Sequence, residues 1–203
     1  EDAFLVQVLK KQGAVPFVLT GFPQLLMAYE SSNPIFGAVR NPHDLLRGSG
    51  GSSGGEAALI ASGGSLLGFG TDIAGSIRQP SAFCGICGLK PTCDRIGYPY
   101  PEKAQSIIRP NVGPMARDVD SLALAMRAVL VPELFEKDQR MPPIPFRDDI
   151  FKSTHHLTIG YYTDDLVCPA SPSAARAVMI AKQVLEAAGH TLVPWTPLDA
   201  EYA

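Results

Sequence analysis

The sequence predicts an α/β fold in which helices flank a mixed central β-sheet. Segments with helical spacing of apolar residues alternate along the chain with short apolar runs that are rich in β-branched and aromatic residues. The 203 residues are 46% hydrophobic and 18% charged, and a domain of this size buries roughly 70% of its unfolded surface. This length corresponds to about one to one and a half domains.

Composition excludes several classes of protein. The net charge is -3, and the scattered Lys and Arg residues do not form the basic patch of a nucleic-acid-binding protein. No apolar run approaches the roughly 18 residues of a membrane-spanning helix. The chain starts at Glu1 rather than Met and stops at Ala203 within a pattern, so we interpret it as a fragment that is incomplete at both ends.

The first elements follow from apolar spacing and from the turn residues between them. Residues 3–11 have the apolar spacing of a helix. The β-rich run at 15–20 predicts a strand, and the apolar cluster at 24–29 predicts a helix. Two Asn-Pro pairs are typical of turns and predict that residues 31–47 form a loop.

The middle of the chain is rich in glycine. Residues 54–62 predict a helix that ends at a Gly-Gly pair, and residues 66–71 predict a buried strand with glycines that leave no room for large side chains. Residues 72–78 form the tight turn after this strand, and residues 83–91 pack back into the core. Several prolines predict an irregular surface loop at 93–111.

The last third of the chain again alternates between helix and strand. A helix is predicted at 118–130, with Asp118 or Asp120 near its N-cap. A second helix is predicted at 171–189, with Pro172 in its first turn. The remaining segments are a proline-rich connector at 131–155 and strands at 157–162 and 191–195.

The stretch from Gly48 to Leu89 organises the whole chain. It contains 12 of the 19 glycines, seven serines and only three charged residues. It is too apolar for a flexible Gly/Ser linker and too weakly charged for a disordered segment. We expect backbone folded tightly through the core, with glycine where positive φ or close approach is required. Serine hydroxyls in such backbone suggest a nucleophile surrounded by N–H donors.

Three interpretations of this stretch compete. The pattern G-x-S-x-G occurs around Ser52 and Ser53, but the residues before it make a poor strand for a nucleophile elbow. A phosphate loop before the helix at 54–62 lacks the required lysine motif. The third interpretation combines both serine clusters: Ser76 lies in a turn of small residues whose N–H groups converge on an oxyanion, and a second serine relays its proton.

Histidines and cysteines give weaker signals. Cys84 and Cys87 form a C-x-x-C pair, which is typical of redox or metal sites, but no second pair or nearby histidine completes a zinc site. We interpret the cysteines as small buried hydrophobic residues in a reducing compartment, and we expect no metal. Each histidine is more typical of a solvated or capping residue than of a catalytic base. The four histidines are His43, His155, His156 and His190.

The order of the motifs resembles the amidase signature family. The matching motifs are GGSSGG at 50–55, GTDIAGSIR at 70–78, PSAFCG at 80–85 and GLKPT at 88–92. The resemblance implies that residues 1–203 are part of a single amidase signature domain, whose signature core covers about residues 45–92. Further segments resemble the fatty-acid amide hydrolase branch of this family, namely GPMARD at 113–118, PFR at 145–147, IGYY at 159–162 and LEAAGHTL at 185–192.

The resemblance implies the amidase signature fold and a Ser–Ser–Lys triad. Ser76 would be the nucleophile that forms the acyl-enzyme, and Ser52 would be the bridging serine, also in contact with substrate. Asp72 and Arg78 would hold the turn. The substrate-binding oxyanion hole would consist of the backbone N–H groups of Ile73, Ala74, Gly75 and Ser76.

The resemblance also implies a lysine base that lies upstream of Glu1. Lys10, Lys11 and Lys90 stand in the wrong motif contexts for this role. One residue departs from the family pattern. This chain has Ala74-Gly75-Ser76 where most members of the family have Gly-Gly-Ser. A methyl group that shifted one oxyanion donor would cost about 100- to 1000-fold in rate.

Residues 24–29 resemble the segment that lines the acyl-chain channel in the lipid-amidase branch. Leu26 would bind substrate nearest to the catalytic turn, and Met27 and Tyr29 would line the channel. Periodicity alone favours the alternative, an ordinary amphipathic helix in the core.

The resemblance therefore implies a serine amidase that hydrolyses fatty acid amides to a free fatty acid and an amine, without a cofactor. The alternatives are an amidase for small polar amides, an amide-transferring subunit of a tRNA-charging complex, and a non-catalytic lipid-binding relative. An acyl-chain-length series and an upstream lysine distinguish them. We further expect an intracellular, endomembrane-associated homodimer whose membrane contacts lie outside this chain.

Overall fold

The computed structural model describes residues 2–97, 108–138 and 140–197. The chain divides into two compact units, Glu1–Phe146 and Arg147–Ala203, which we describe separately. Helices and small sheets alternate along the chain, so the predicted α/β class is confirmed. In chain order, the first unit contains α1 (Phe4–Lys11), a 3₁₀ turn (Gln24–Leu26), β1 (Ser32–Asn33), β2 (Gly37–Ala38), β3 (Arg40–Asn41), β4 (Asp44–Gly48), α2 (Gly54–Ala61), β5 (Leu67–Asp72), α3 (Arg78–Cys84), β6 (Cys87–Gly88), β7 (Asn111–Ala116), α4 (Val119–Val129) and α5 (Pro132–Phe135).

The central sheet of the first unit has three antiparallel strands in the order β5–β7–β6. Strand β5 pairs with β7 from Leu67 opposite Ala116 to Asp72 opposite Asn111. All six residues of β7 are buried, as expected for a middle strand. The sheet therefore carries β5 through the core and delivers its last residue, Asp72, to the turn that precedes α3.

Two apolar clusters hold the helices of the first unit. One joins α1, β7, α4 and α5, and its buried members include Val8, Val112 and Val129. The other joins α2, α3 and β7 through residues that include Ile60, Ile77 and Met115. The second cluster fixes α2 and α3 side by side, so that the segments leading into these two helices belong to one packed region.

The structure confirms the predicted N-cap of α4. The Asp118 side chain accepts a hydrogen bond from the backbone N–H of Ser121 at 2.7 Å. A carboxylate at this position accepts a hydrogen bond from one of the free N–H groups of the first turn. Its negative charge also interacts favourably with the positive end of the helix dipole. Of the two candidates, Asp118 is therefore the cap.

Two predicted elements near the N-terminus are wrong. Residues 15–20 form no strand and are largely exposed, because β-propensity without a pairing partner does not fix a strand. The predicted helix at 24–29 is reduced to a single 3₁₀ turn. Leu25 and Leu26 have φ of 57° and 60°, and a right-handed helix cannot continue through that conformation.

The predicted loop at 31–47 is also wrong, because it contains two antiparallel strand pairs, β1–β2 and β3–β4. The turn signals were present but belong to hairpins. The Asn33 side chain accepts hydrogen bonds from the N–H groups of Ile35 (3.0 Å) and Phe36 (2.9 Å), and such Asx turns reverse the chain.

Two elements were missed because both contain proline. Pro80 occupies the first turn of α3, where a backbone N–H is not needed for the helix. Strand β7 contains Gly113 and Pro114, which normally argue against a central strand. The predicted loop at 93–111 lies partly outside the described residues, at 98–107, and the connector at 131–155 includes short helical turns.

The second unit contains α6 (Asp148–Phe151), β8 (Thr158–Tyr161), α7 (Pro172–Ala187) and β9 (Thr191–Pro194). Strands β8 and β9 are parallel, with Thr158 opposite Thr191, and α7 connects them. The Ser171 hydroxyl accepts the N–H of Ala174 at 3.3 Å and caps α7. The predicted strands and helix of this unit are confirmed within two residues at each end. No helix in the part of the chain that the structure describes is long and apolar enough to cross a membrane.

Candidate active site

The turn that carries Ser76 is folded around the carboxylate of Asp72, the last residue of β5. This side chain is fully buried. Its oxygens accept hydrogen bonds from the backbone N–H groups of Gly75 (2.8 Å), Ile77 (3.0 Å) and Arg78 (3.2 Å). The Arg78 guanidinium donates two more, from Nε at 3.0 Å and from Nη2 at 2.9 Å. One carboxylate thus fixes the path of the chain on both sides of Ser76.

The charge of Asp72 is maintained by these same donors. Burial acts to raise the pKa of its carboxyl group, but hydrogen bonds from Arg78 and from the three backbone N–H groups outweigh burial. The pKa falls from 3.8 to about 2. The hydrogen bond to Asp72 in turn raises the pKa of Arg78. Asp72 is therefore ionised at neutral pH and serves as a structural anchor rather than as a proton acceptor.

Gly75 has a backbone conformation that other residues rarely adopt. Its φ is +120°, a region that is essentially restricted to glycine. This conformation directs the Gly75 N–H to Asp72. A glycine at this position is therefore required for the turn to close on the carboxylate.

Within the part of the chain that the structure describes, three N–H groups of the predicted oxyanion hole have no hydrogen-bond acceptor. Among the described residues, the N–H groups of Ile73, Ala74 and Ser76 donate no hydrogen bond, whereas that of Gly75 is engaged by Asp72. Ala74 does not have positive φ, and its side chain is exposed. The methyl group at this unusual position is thus accommodated without backbone strain.

The Ser52 loop lies immediately before α2 and is deeply buried. Only 2% of the Ser52 surface is exposed, and the Gly51–Ser52 peptide bond is cis. The Ser52 hydroxyl forms no hydrogen bond with any described residue, and neither does that of Ser76. The structure therefore shows no direct hydrogen bond between the two predicted catalytic hydroxyls.

Ser53 joins the Ser52 loop to the Ser76 turn. Its backbone N–H donates to the Ser76 carbonyl oxygen at 3.1 Å. Its hydroxyl lies 3.4 Å from the N–H of Thr71 and 3.5 Å from the carbonyl oxygen of the same residue in β5. The two serine clusters, which are separated by more than 20 residues in sequence, are thus adjacent through their backbones.

The segment that contains the predicted acyl-channel residues also reaches the Ser52 loop. A Cβ atom placed on Gly51 would lie 2.6 Å from the carbonyl oxygen of Ala28 and 2.8 Å from the N of Glu30. Leu26 is half-buried, whereas Met27 and Tyr29 are exposed, Met27 by 71%. Residues 26–29 therefore border the site, and their apolar side chains are accessible beside it.

Two residues in contact with the Ser52 loop were missed in the sequence. The Ser31 hydroxyl donates to the Ser52 carbonyl oxygen at 3.0 Å and accepts the N–H of Gly54 at 2.9 Å. The Gln79 side chain accepts the N–H of Gly51 at 3.1 Å. Both contacts are remote in sequence, and neither residue lies in a pattern that would have indicated its role.

The histidine and cysteine candidates have other contacts, each within its own unit. His43 Nε2 lies 2.9 Å from the Cys84 carbonyl oxygen, and His156 Nδ1 lies 2.7 Å from that of Gly189 in the second unit. Cys84 is buried in the core, and burial raises the pKa of its thiol. Among residues 2–97, 108–138 and 140–197, no group of acidic, His and Cys side chains could hold a metal ion.

Comparisons with known proteins identify relatives of the whole chain. The model of the family described as Amidase matches residues 1–203. Fatty-acid amide hydrolase 1 of Sus scrofa is 52% identical over 205 residues, which cover 100% of this chain and 35% of that protein. Vitamin D3 hydroxylase-associated protein of Gallus gallus is also 52% identical over 205 residues, covering 100% of this chain and 44% of that protein.

A solved structure of a fatty acid amide hydrolase has the same fold. It superposes with a TM-score of 0.90 at 37% identity and covers 98% of this chain and 36% of that chain. The chain thus spans between about a third and a half of the length of these relatives. The family match, the identities and the shared fold together show that the chain belongs to the amidase family, the amidase signature enzymes.

Proposed function

We propose that this protein is a serine amidase that hydrolyses fatty acid amides to a free fatty acid and an amine. The observation that carries the proposal is the joining of the buried Ser52 loop to the Asp72-anchored Ser76 turn through the hydrogen bond from Ser53 to Ser76. The similarity to proteins named fatty-acid amide hydrolase supports the choice of substrate class.

The chemistry starts at the Ser76 hydroxyl. Its oxygen attacks the amide carbonyl carbon, and its proton passes through Ser52 to a base. The N–H groups of Ile73, Ala74 and Ser76, which have no partner among the described residues, are suited to stabilising the negative oxygen of the tetrahedral intermediate. The C–N bond then breaks, the amine leaves with the proton, and water hydrolyses the Ser76 ester to the free acid.

The base in this proposal is the lysine that the family resemblance implies. A lysine must be neutral to accept a proton, which requires burial or a cationic neighbour to lower its pKa. Lys10 does not have this environment, since its side chain is exposed and its Nζ forms an ion pair with Asp2 at 2.7 Å. Lys10 is therefore not the base of this proposal, and the family resemblance implies a lysine elsewhere in the complete protein.

Labelling with a fluorophosphonate probe tests the proposal in the complete gene product. We expect Ser76→Ala to abolish labelling, and Ser52→Ala to slow it by about 100- to 10,000-fold, as for loss of a general acid–base group. Ser65→Ala is the control, because among the described residues this buried hydroxyl bonds only to the nearby Leu67 carbonyl oxygen, at 3.0 Å. Undiminished labelling of Ser76→Ala would remove Ser76 as the nucleophile.

We also propose, from the family resemblance, that the enzyme forms a homodimer and associates with endomembranes. Sedimentation of the purified complete protein, and fractionation of cells that express it, test these two points. A monomer, or a protein recovered only in the soluble fraction, would contradict them.

A further inference from the structure

Ser31 and Gln79 bind the backbone of the Ser52 loop from two different elements. Ser31 immediately precedes β1, and Gln79 is the second residue of α3. Neither is part of the proposed chemistry. We propose that both are positioning residues, which fix the Ser52 hydroxyl relative to Ser76; this inference rests on the proposed function of those two serines.

Ser31 holds the loop on both sides of Ser52. Its side chain is almost fully buried, with 1% of the residue exposed. The hydroxyl donates to the Ser52 carbonyl oxygen at 3.0 Å and accepts the Gly54 N–H at 2.9 Å. The backbone N–H of Ser31 donates to the Gly50 carbonyl oxygen at 3.1 Å. One residue thus fixes the loop before, at and after Ser52.

Gln79 couples the same loop to the catalytic turn. Its side-chain oxygen accepts the N–H of Gly51 at 3.1 Å. Its own backbone N–H donates to the Gly75 carbonyl oxygen at 2.7 Å. The residue before Ser52 and the residue before Ser76 are therefore both bonded to Gln79.

These contacts matter because the Ser52 hydroxyl has no partner of its own among the described residues. Its place is set by the loop backbone, and the loop backbone is set by Ser31, Gln79 and Ser53. Proton transfer requires hydrogen-bond distance between the groups involved. A displacement of about 1 Å can reduce the rate by about 100-fold.

The side chains of Ser31 and Gln79 can be substituted without changing Ser52 or Ser76. In the complete protein, we expect Gln79→Met to lower kcat by about tenfold with KM changed less than twofold, since one hydrogen bond is lost. Gln79→Glu keeps an acceptor oxygen at this position and should recover most of the rate. Ser31→Ala should act in the same way as Gln79→Met, whereas the buried control Ser65→Ala should not.

A second arm separates positioning from general support of the fold. If Gln79 acts through Ser52, Gln79→Met should have no further effect on kcat in a Ser52→Ala background. Multiplicative effects in the double variant, or an unchanged kcat in Gln79→Met and Ser31→Ala, would overturn the proposal.

Amide hydrogen exchange gives a readout that does not depend on activity. We expect the Gly51 N–H to exchange faster in Gln79→Met than in the wild type, because it loses its acceptor. An unreactive wild-type Ser76 together with faster exchange at Gly51 would reject the proposed function but keep the contact that holds the loop. A reactive Ser76 with unchanged exchange and unchanged kcat would reject the positioning role alone.

Discussion

At the residue scale, Asp72 is the side chain on which the Ser76 turn depends. Its pKa of about 2 lies below the ordinary value of 3.8, so the folded state favours the charged form. The resulting stability is fully present above about pH 4 and is lost as the pH falls through about 2. Since one pKa unit corresponds to about 1.4 kcal/mol, the contribution at neutral pH is about 2 kcal/mol.

We therefore predict that Asp72→Asn lowers the free energy of unfolding by about 2 kcal/mol at pH 7. The difference from the wild type should shrink to about half by pH 3, because the carboxyl group of the unfolded state, with its ordinary pKa of 3.8, is then mostly protonated whereas that of the folded state is still ionised. Urea denaturation between pH 7 and pH 3 measures both values. A difference that stays constant across this range would show that the ionised form of Asp72 is not what stabilises the turn.

Asp149 provides a matched control for this prediction. Hydrogen bonds from Arg147 also lower the pKa of Asp149 to about 2, but both side chains are largely exposed. Solvent screens exposed ion pairs, which contribute little to stability. Asp149→Asn should therefore leave the urea midpoint unchanged at every pH.

What could be predicted at this scale is the adjacency of residues in local motifs, whereas the catalytic roles of Ser52 and Ser76 stay predictions. Ser52, Ser76, Asp72 and Arg78 lie within one Gly-rich stretch, and the structure brings the two serine segments together. Ser31 could not be predicted, because its hydroxyl bonds to Ser52 and Gly54 across at least 20 residues of intervening chain. Such contacts depend on the fold and leave no periodic signal in the sequence.

At the scale of elements, helix α2 approaches the preceding chain so closely that it needs glycine. The Gly55 N–H donates to the Gly21 carbonyl oxygen at 3.1 Å, and a Cβ on Gly55 would collide with the backbone of Gly21. This contact fixes the start of α2, directly after the Ser52 loop.

We predict that Gly55→Ala destabilises the protein, although alanine is the better helix former. Propensity alone would stabilise a helix by up to about 1 kcal/mol, whereas overpacking against backbone costs about 1 to 3 kcal/mol. The net loss should appear as a lower urea midpoint. Ala58→Gly, at a half-buried position of the same helix, removes a methyl group and should cost about 1 kcal/mol in helix propensity. A Gly55→Ala variant that is more stable than the wild type would contradict the close packing.

Elements with regular periodicity could be predicted, and those fixed by tertiary contacts could not. Helices α4 and α7 show clear apolar spacing and capping residues, and both were found. Strand β7 contains a glycine and a proline, and it becomes a strand because it lies between β5 and β6. Residues 15–20 show the opposite case, in which a β-rich sequence without a partner forms no strand.

At the scale of the whole molecule, the family and the fold class could be predicted from the order of the motifs. The match over residues 1–203 and the TM-score of 0.90 bear this out. The sheet directions could not be predicted in detail: the three strands of the central sheet in the first unit are antiparallel, and β8 and β9 of the second unit are parallel. Pairing direction is set by connections and by packing, which the local sequence does not specify.

The substrate class is also a property of the whole molecule, and it can be tested at one exposed side chain. Met27 is 71% exposed and belongs to the segment that contacts Gly51 beside Ser52. Each buried methylene contributes about 0.8 kcal/mol, or about fourfold in binding. For a lipid amidase, kcat/KM of the complete protein should thus rise steeply from acetyl to long-chain acyl amides.

We predict that Met27→Asp lowers kcat/KM for long-chain amides by about tenfold, since a charged group disfavours an apolar chain. The kcat/KM for acetyl amides should not change. Leu66→Asp is the control, because Leu66 is 82% exposed but lies next to the start of β5, away from the Asp72 end. Equal rates along the acyl series would favour an enzyme for small amides, and an equal loss for short and long amides in Met27→Asp would exclude Met27 from the acyl-binding surface.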